Sequence, residues 1–103
     1  MPLIEMTNEA RLDALHKAIA LRRERAEILA ALRRGSLSVE EALRDRDSAI
    51  GRVYVRQLLR SMPDIGEVRS RTILQELRIS EGRRVQGLGV RQRQRLIAYF
   101  AAN

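Results

Sequence analysis

Three features of this 103-residue chain predict an all-α fold. Apolar residues recur at helical spacing, helix-start and helix-stop residues punctuate the chain, and no stretch alternates as a strand does. The expected architecture is a long N-terminal helix leading into a small helical body built around two glycine-marked turns. At this length the chain forms one small domain, with residues 1–7 as a flexible tail and 8–103 as the helical unit.

The elements follow in order. Asn8 is expected to cap a helix that runs to about Arg34, where Gly35 ends it. Ala, Leu, Arg and Glu dominate the segment, and all are strong helix formers. Leu12, Leu15, Ile19, Ala26 and Leu29 fall on one stripe, which an arginine at 22 or 23 interrupts. The first half has little bulk to bury, with Ala14, Ala18 and Ala20, so it is expected to project from the body. The stripe is too short and broken to favour a coiled-coil seam. Ser38 and Glu41 form a capping box that opens a short helix to about Arg46. Residues 45–48 are a polar break. Ile50, Val53, Leu58, Leu59 and Met62 suggest a helix from about Arg52 to Ser61, which Pro63 stops. Beyond the turn Pro63-Asp64-Ile65-Gly66, a helix to about Arg78 buries Val68, Ile73, Leu74 and Leu77, with Arg69 and Arg71 facing water. A second turn, Arg83-Arg84-Val85-Gln86-Gly87-Leu88-Gly89, opens the last helix. There Leu96, Ile97 and Phe100 point inward, and Arg91, Arg93 and Arg95 largely outward.

Composition narrows the chemistry. There are no cysteines, so disulfides, thiolate zinc sites and thiol nucleophiles are absent. The lone His16 has no neighbours suited to metal binding or acid–base work, and no cofactor is expected. No set of His, Ser and carboxylate residues has catalytic spacing, so the chain is expected not to be an enzyme. Pro2 is followed by Leu3, not by the glutamate that accompanies an N-terminal proline nucleophile in certain DNA repair glycosylases. No apolar run reaches the length of a membrane span, and the N-terminus lacks a secretory pattern. A cytoplasmic protein is the expectation.

The formal net charge is +7. Residues 1–49 carry nine basic and nine acidic side chains, whereas residues 50–103 carry eleven and four. The whole excess thus lies in the half that holds the two turns, which points to a polyanion partner. Each turn precedes a helix start, where unpaired N–H groups and the helix dipole favour an anion such as a phosphate. Arg83 and Arg84 lie between the two starts. Tyr54, Tyr99 and Phe100 are the only aromatics, and all fit a core, which argues against base stacking on single strands.

Three segments carry a resemblance: LRRERAE at residues 21–27, the Pro-x-Ile-Gly-x-Val-Arg pattern within residues 59–71, and RRVQGLG at residues 83–89. In combination they resemble the actinobacterial integration host factor family of nucleoid-associated proteins. The resemblance implies a helix-two-turns-helix DNA-binding element over residues 62–91. It also implies binding and bending of duplex DNA with little sequence preference. From the helical pattern a monomer is expected, with other DNA-bound proteins as further partners. The contacts it implies are Pro63, Ile65, Gly66 and Arg69 at the first turn. At the second they are Arg83, Arg84, Gly87, Leu88 and Gly89, with Arg91 just beyond. A second face on the long helix would bring in Arg22, Arg23 and Arg25. The chain departs from the family pattern at Asp64, Glu67 and Gln86, where the family usually has Gly, Lys and Arg. Two alternatives stay open: an RNA- or ribosome-binding module, and a protein-interaction paralogue with weakened DNA binding.

Overall fold

The computed structural model describes residues 7–44 and 49–102. They form five α-helices: α1 (Asn8–Arg34), α2 (Val39–Leu43), α3 (Val55–Arg60), α4 (Glu67–Glu76) and α5 (Val90–Ala102). Short 3₁₀ turns at Ala49–Arg52 and Val85–Gly87 complete the body. The described residues contain no strand, only an isolated antiparallel bridge between Tyr54 and Arg84. The expected tail through residue 6 and the polar break at 45–48 lie outside the described residues.

Thr7, not Asn8, caps α1. Its hydroxyl accepts the Ala10 N–H at 3.1 Å, so residue 7 belongs to the helix start and not to the tail. Thr and Asn cap by the same chemistry, and the side chain that meets a free N–H at the third position takes the role. At the other end Gly35 is left-handed, with φ 77°. The N–H groups of Gly35 and Ser36 close on Leu32 and Ala31 at 3.1 and 3.0 Å. This pair of bonds satisfies the last carbonyls.

α1 sets the shape of the molecule. A compact chain of this size would have a radius of gyration of about 13 Å. The observed value is 16.3 Å, with extents of 53 × 30 × 23 Å. At 1.5 Å per residue α1 is about 40 Å long, and only its last turns are gripped: Leu32 is fully buried, and Ile28 and Leu29 pack against the core. Leu12, Leu15 and Ile19 stay exposed at 53, 51 and 37%. They lie about half a turn around the helix from Ile28 and Leu32, at 100° per residue. The first part of the apolar stripe therefore faces away from the body, and only its end at Leu29 reaches the core.

The Ser38–Glu41 capping box forms as expected. Two hydrogen bonds from Ser38, side chain first and backbone second, hold the Glu41 carboxyl below its ordinary pKa. α2 is shorter than expected, ending at Leu43 with Arg44 as its cap. The segment expected as one helix from Arg52 is split. Arg52 ends the 3₁₀ turn, Val53 bends and closes it with an N–H bond to the Ile50 carbonyl, Tyr54 is extended, and α3 spans Val55–Arg60. The cause is tertiary. The Val55 N–H donates to the Arg83 carbonyl and the Val85 N–H to the Val53 carbonyl, both at 2.9 Å. The extended backbone at Tyr54, between the two bonded residues, is what lets these long-range bonds form.

One core joins all the elements: Leu32, Val39, Leu43, Ile50, Leu58, Leu59, Ile73, Leu74, Val85 and Leu96 are among its buried members. Three expectations about facing are corrected. Val68 is 78% exposed, and the position it was expected to share on the buried face of α4 is taken by Ser70, whose hydroxyl donates to the Glu67 carbonyl at 2.7 Å. Arg93 does not point outward but is half-buried and donates to the Leu43 carbonyl, tying α5 to the end of α2. Tyr54 is 36% exposed and outside the core. Tyr99 and Phe100 meet each other edge to face and pack against the core as expected.

Candidate nucleic-acid interface

The Pro63–Gly66 turn is built by local backbone bonds. The Met62 N–H donates to Leu59 at 3.0 Å, and the Ile65 N–H to Met62 at 3.4 Å. Asp64 occupies the left-handed region with φ 64°. That conformation suits Gly best and Asp or Asn next, because a short polar side chain tolerates it. Asp64 therefore stands where the backbone itself calls for glycine. Gly66 is the N-cap of α4, and no side chain bonds to the free N–H groups behind it. Its φ of −91° suits any residue, and a β-carbon there would meet nothing within 4 Å. Neither strain nor internal packing requires glycine at this position. Its missing side chain opens the helix start only toward something outside the chain.

Pro63, Asp64, Ile65 and Arg69 form one wall of an open groove of about 480 Å³. Tyr99 and Phe100, near the end of α5, form another. Pro63, Gly66 and Arg69 are exposed and Ile65 is half-buried. Glu67, the first residue of α4, pairs with Arg71 at 3.4 Å, and Arg71 also reaches Glu81 at 3.3 Å. A carboxylate thus does stand beside the open N–H groups, half-occupied by its own arginine.

The second turn is held differently. The bridge bonds pin residues 83–85 against 53–55. The N–H groups of Gly87, Leu88 and Gly89 are already used, by the Arg84 carbonyl, the Val85 carbonyl and the Gln92 side chain, at 2.9, 3.2 and 3.0 Å. The expectation that glycine turns present free N–H groups thus holds at the first turn and not at these three residues. The open donors on this side are the N–H groups of the first turn of α5, together with the arginine side chains. Arg83 folds over the turn and donates to the Gly87 carbonyl at 3.0 Å. A β-carbon on Gly87 would press on the Arg83 stem at 3.3 Å, so this glycine serves the arginine's packing. Arg84 turns the other way, with its guanidinium 4.8 Å from the centre of the Tyr54 ring.

Of the second-turn contacts expected, Arg83, Arg84, Gly87, Gly89 and Arg91 are exposed. Leu88 is only 3% exposed and is a core residue, so its side chain plugs the turn from inside. Arg22 and Arg23 are exposed on the projecting helix, and Arg25 is half-buried.

Two participants were not apparent in the sequence. Tyr54 is distant in the chain from Arg84, and only the bridge brings them together. Gln92 caps Gly89 and also donates to the Arg78 carbonyl at 3.2 Å, joining the start of α5 to the end of α4. A glutamine three residues after a turn glycine was the one available signal for its capping role. α5 also relates the two turns. Its Val90 end emerges from the second, and its Tyr99–Phe100 end borders the first, about 15 Å further along the helix axis. Among the described residues no group of His, Asp and Glu could hold a metal ion, and no helix is long and apolar enough to cross a membrane.

The S13-like H2TH domain family matches residues 32–100, which is the body without the projecting part of α1. The chain is 40% identical to the integration host factor of Mycobacterium tuberculosis over 99% of both proteins. It is 44% identical to that of Streptomyces coelicolor, over 89% of this chain and 88% of the relative. A solved structure described as sIHF bound to an 8-bp palindromic DNA superposes with a TM-score of 0.78 at 41% identity, over 82% of this chain and 98% of the other. Near-complete coverage at this identity, on a shared two-turn body, makes the chain a member of the integration host factor family.

Proposed function

We propose that this chain binds duplex DNA through its phosphate backbone, with little sequence preference, and bends it as a non-enzymatic architectural protein of the nucleoid. The observation that carries this reading is the bare start of α4 at Gly66, where glycine serves no internal need and free N–H groups face outward. Arg69 beside it, and Arg83, Arg84 and Arg91 at the other end of α5, extend the positive surface. Anchors at both turns can engage separate phosphates of one duplex. The relative solved with bound DNA supports the same partner. The protein acts as a monomer in the cytoplasm, and Arg22 and Arg23 on α1 offer a second contact for bent DNA.

The test is a mobility-shift titration of duplex DNA at two salt concentrations, with structured RNA as competitor. The logarithm of the binding constant is expected to fall linearly with the logarithm of salt, and duplex DNA is expected to outcompete RNA. Arg83→Ala combined with Arg84→Ala should weaken all sequences about equally and reduce the slope by up to about 2. Unchanged slope and affinity would remove the second turn from the interface.

A further inference from the structure

Resting on the DNA-binding reading, we infer that Tyr54 is a positioning residue for that site, holding the Arg84 guanidinium in place for a phosphate. The backbone makes the pairing. Tyr54 and Arg84 are the two residues of the antiparallel bridge, and directly opposed residues of such a pair have neighbouring side chains. Three contacts then hold the Arg84 side chain, two of them from Tyr54. The Arg84 guanidinium carbon lies 4.8 Å from the centre of the Tyr54 ring. Its Nη2 donates to the Tyr54 hydroxyl at 3.2 Å, and its Nη1 to the Arg52 carbonyl at 3.5 Å. These two bonds leave Nε–H and one N–H on each terminal nitrogen for a ligand.

Tyr54 has no other evident role. It is the N-cap of α3, yet its side chain makes no capping bond, and it is exposed where Tyr99 and Phe100 are packed. An arginine on a solvated loop normally loses much rotamer freedom when it grips a phosphate. A ring and a carbonyl that hold it beforehand remove part of that cost, and a flat guanidinium on an aromatic face keeps its N–H edge available. A lysine could carry the charge but has no planar fork to bond the Tyr54 hydroxyl and the Arg52 carbonyl at once.

The experiment is a double-mutant cycle on the full chain, read by duplex-DNA affinity at low salt and by thermal unfolding of each variant. Tyr54→Leu should lower affinity about two- to fivefold in the native background and cause no further loss in the Arg84→Ala background. Tyr54→Phe, which keeps the ring, should retain most of the affinity. Arg84→Lys should lose about as much as Tyr54→Leu and be insensitive to Tyr54. An equal loss from Tyr54→Leu in both backgrounds would overturn the inference, since the ring would then touch DNA itself or merely support the fold. A lowered unfolding temperature with native DNA affinity would overturn it as well. Failure of the native chain to shift duplex DNA would instead overturn the reading of the function, and this inference with it.

Discussion

Glu67 concentrates the opposing demands on the interface. At the first position of α4 its charge complements the helix dipole, and it pairs with Arg71 four residues on. The same charge repels a phosphate approaching the bare start at Gly66. Glu67→Lys should therefore lower stability by about 0.5–1 kcal/mol, the sum of a dipole contribution and one exposed ion pair. Arg71 keeps Glu81, which limits the loss. DNA affinity should rise and the salt slope steepen by about 1. Paired urea and DNA titrations on this variant check both, and an unchanged slope would place residue 67 away from the phosphates. Arg78 has a simpler conflict. It follows α4 with φ 57°, in the position where Ile79 N–H closes on the Leu74 carbonyl at 2.9 Å. Glycine is the usual residue there because it lacks the β-carbon that makes this conformation costly. Arg78→Gly should stabilise the chain by about 0.5–1 kcal/mol, the left-handed penalty less the entropy glycine adds to the unfolded state. A denaturation midpoint at or below that of the native chain would count against this.

At the scale of elements, α1 is two structures in one helix. Its last turns are core, and its first turns project as a lever, in a helix about 40 Å long. Leu32→Ala should cost about 2–5 kcal/mol because it empties a fully buried site. Leu15→Ala should change stability by less than about 0.5 kcal/mol, since half of that side chain is already in water and alanine is the better helix former. Chemical denaturation of the two variants separates the regions. A large loss at Leu15 would mean that the outward stripe is covered in solution. The two turns differ as elements too. The first offers backbone donors because α4 has no side-chain cap, while the second has used its glycine N–H groups internally and offers arginines.

For the whole molecule, binding and stability are linked. DNA that binds only the folded chain should raise its stability by about 2.7 kcal/mol at a free concentration one hundred times Kd. The proposed phosphate contacts require that the corresponding rise in melting temperature shrink as salt is added, through counterion release. Calorimetry with and without duplex at two salt concentrations checks this, and a salt-independent rise would argue for an apolar or base-edge interface. The lopsided charge gives the molecule a direction. The balanced half is α1 and α2, and the excess of basic side chains lies with α3 to α5, where both turns are.

The helical class, the extent of α1, the capping box and the two glycine turns were all legible in the chain, because each rests on contacts within a few residues. Periodicity, Ser38 with Glu41, Gly35 and Pro63 act through local backbone chemistry that a sequence displays directly. Facing was less legible. Val68 is exposed and Ser70 buried because a small hydroxyl that bonds its own helix can be buried at little cost, which a hydropathy pattern does not register. The split between the 3₁₀ turn and α3, the burial of Leu88, and the Tyr54–Arg84 pair depend on segments about thirty residues apart meeting through two backbone bonds. Local propensity carries no information about such a partner, so these features arise only when the core closes and brings residues 53–55 against 83–85.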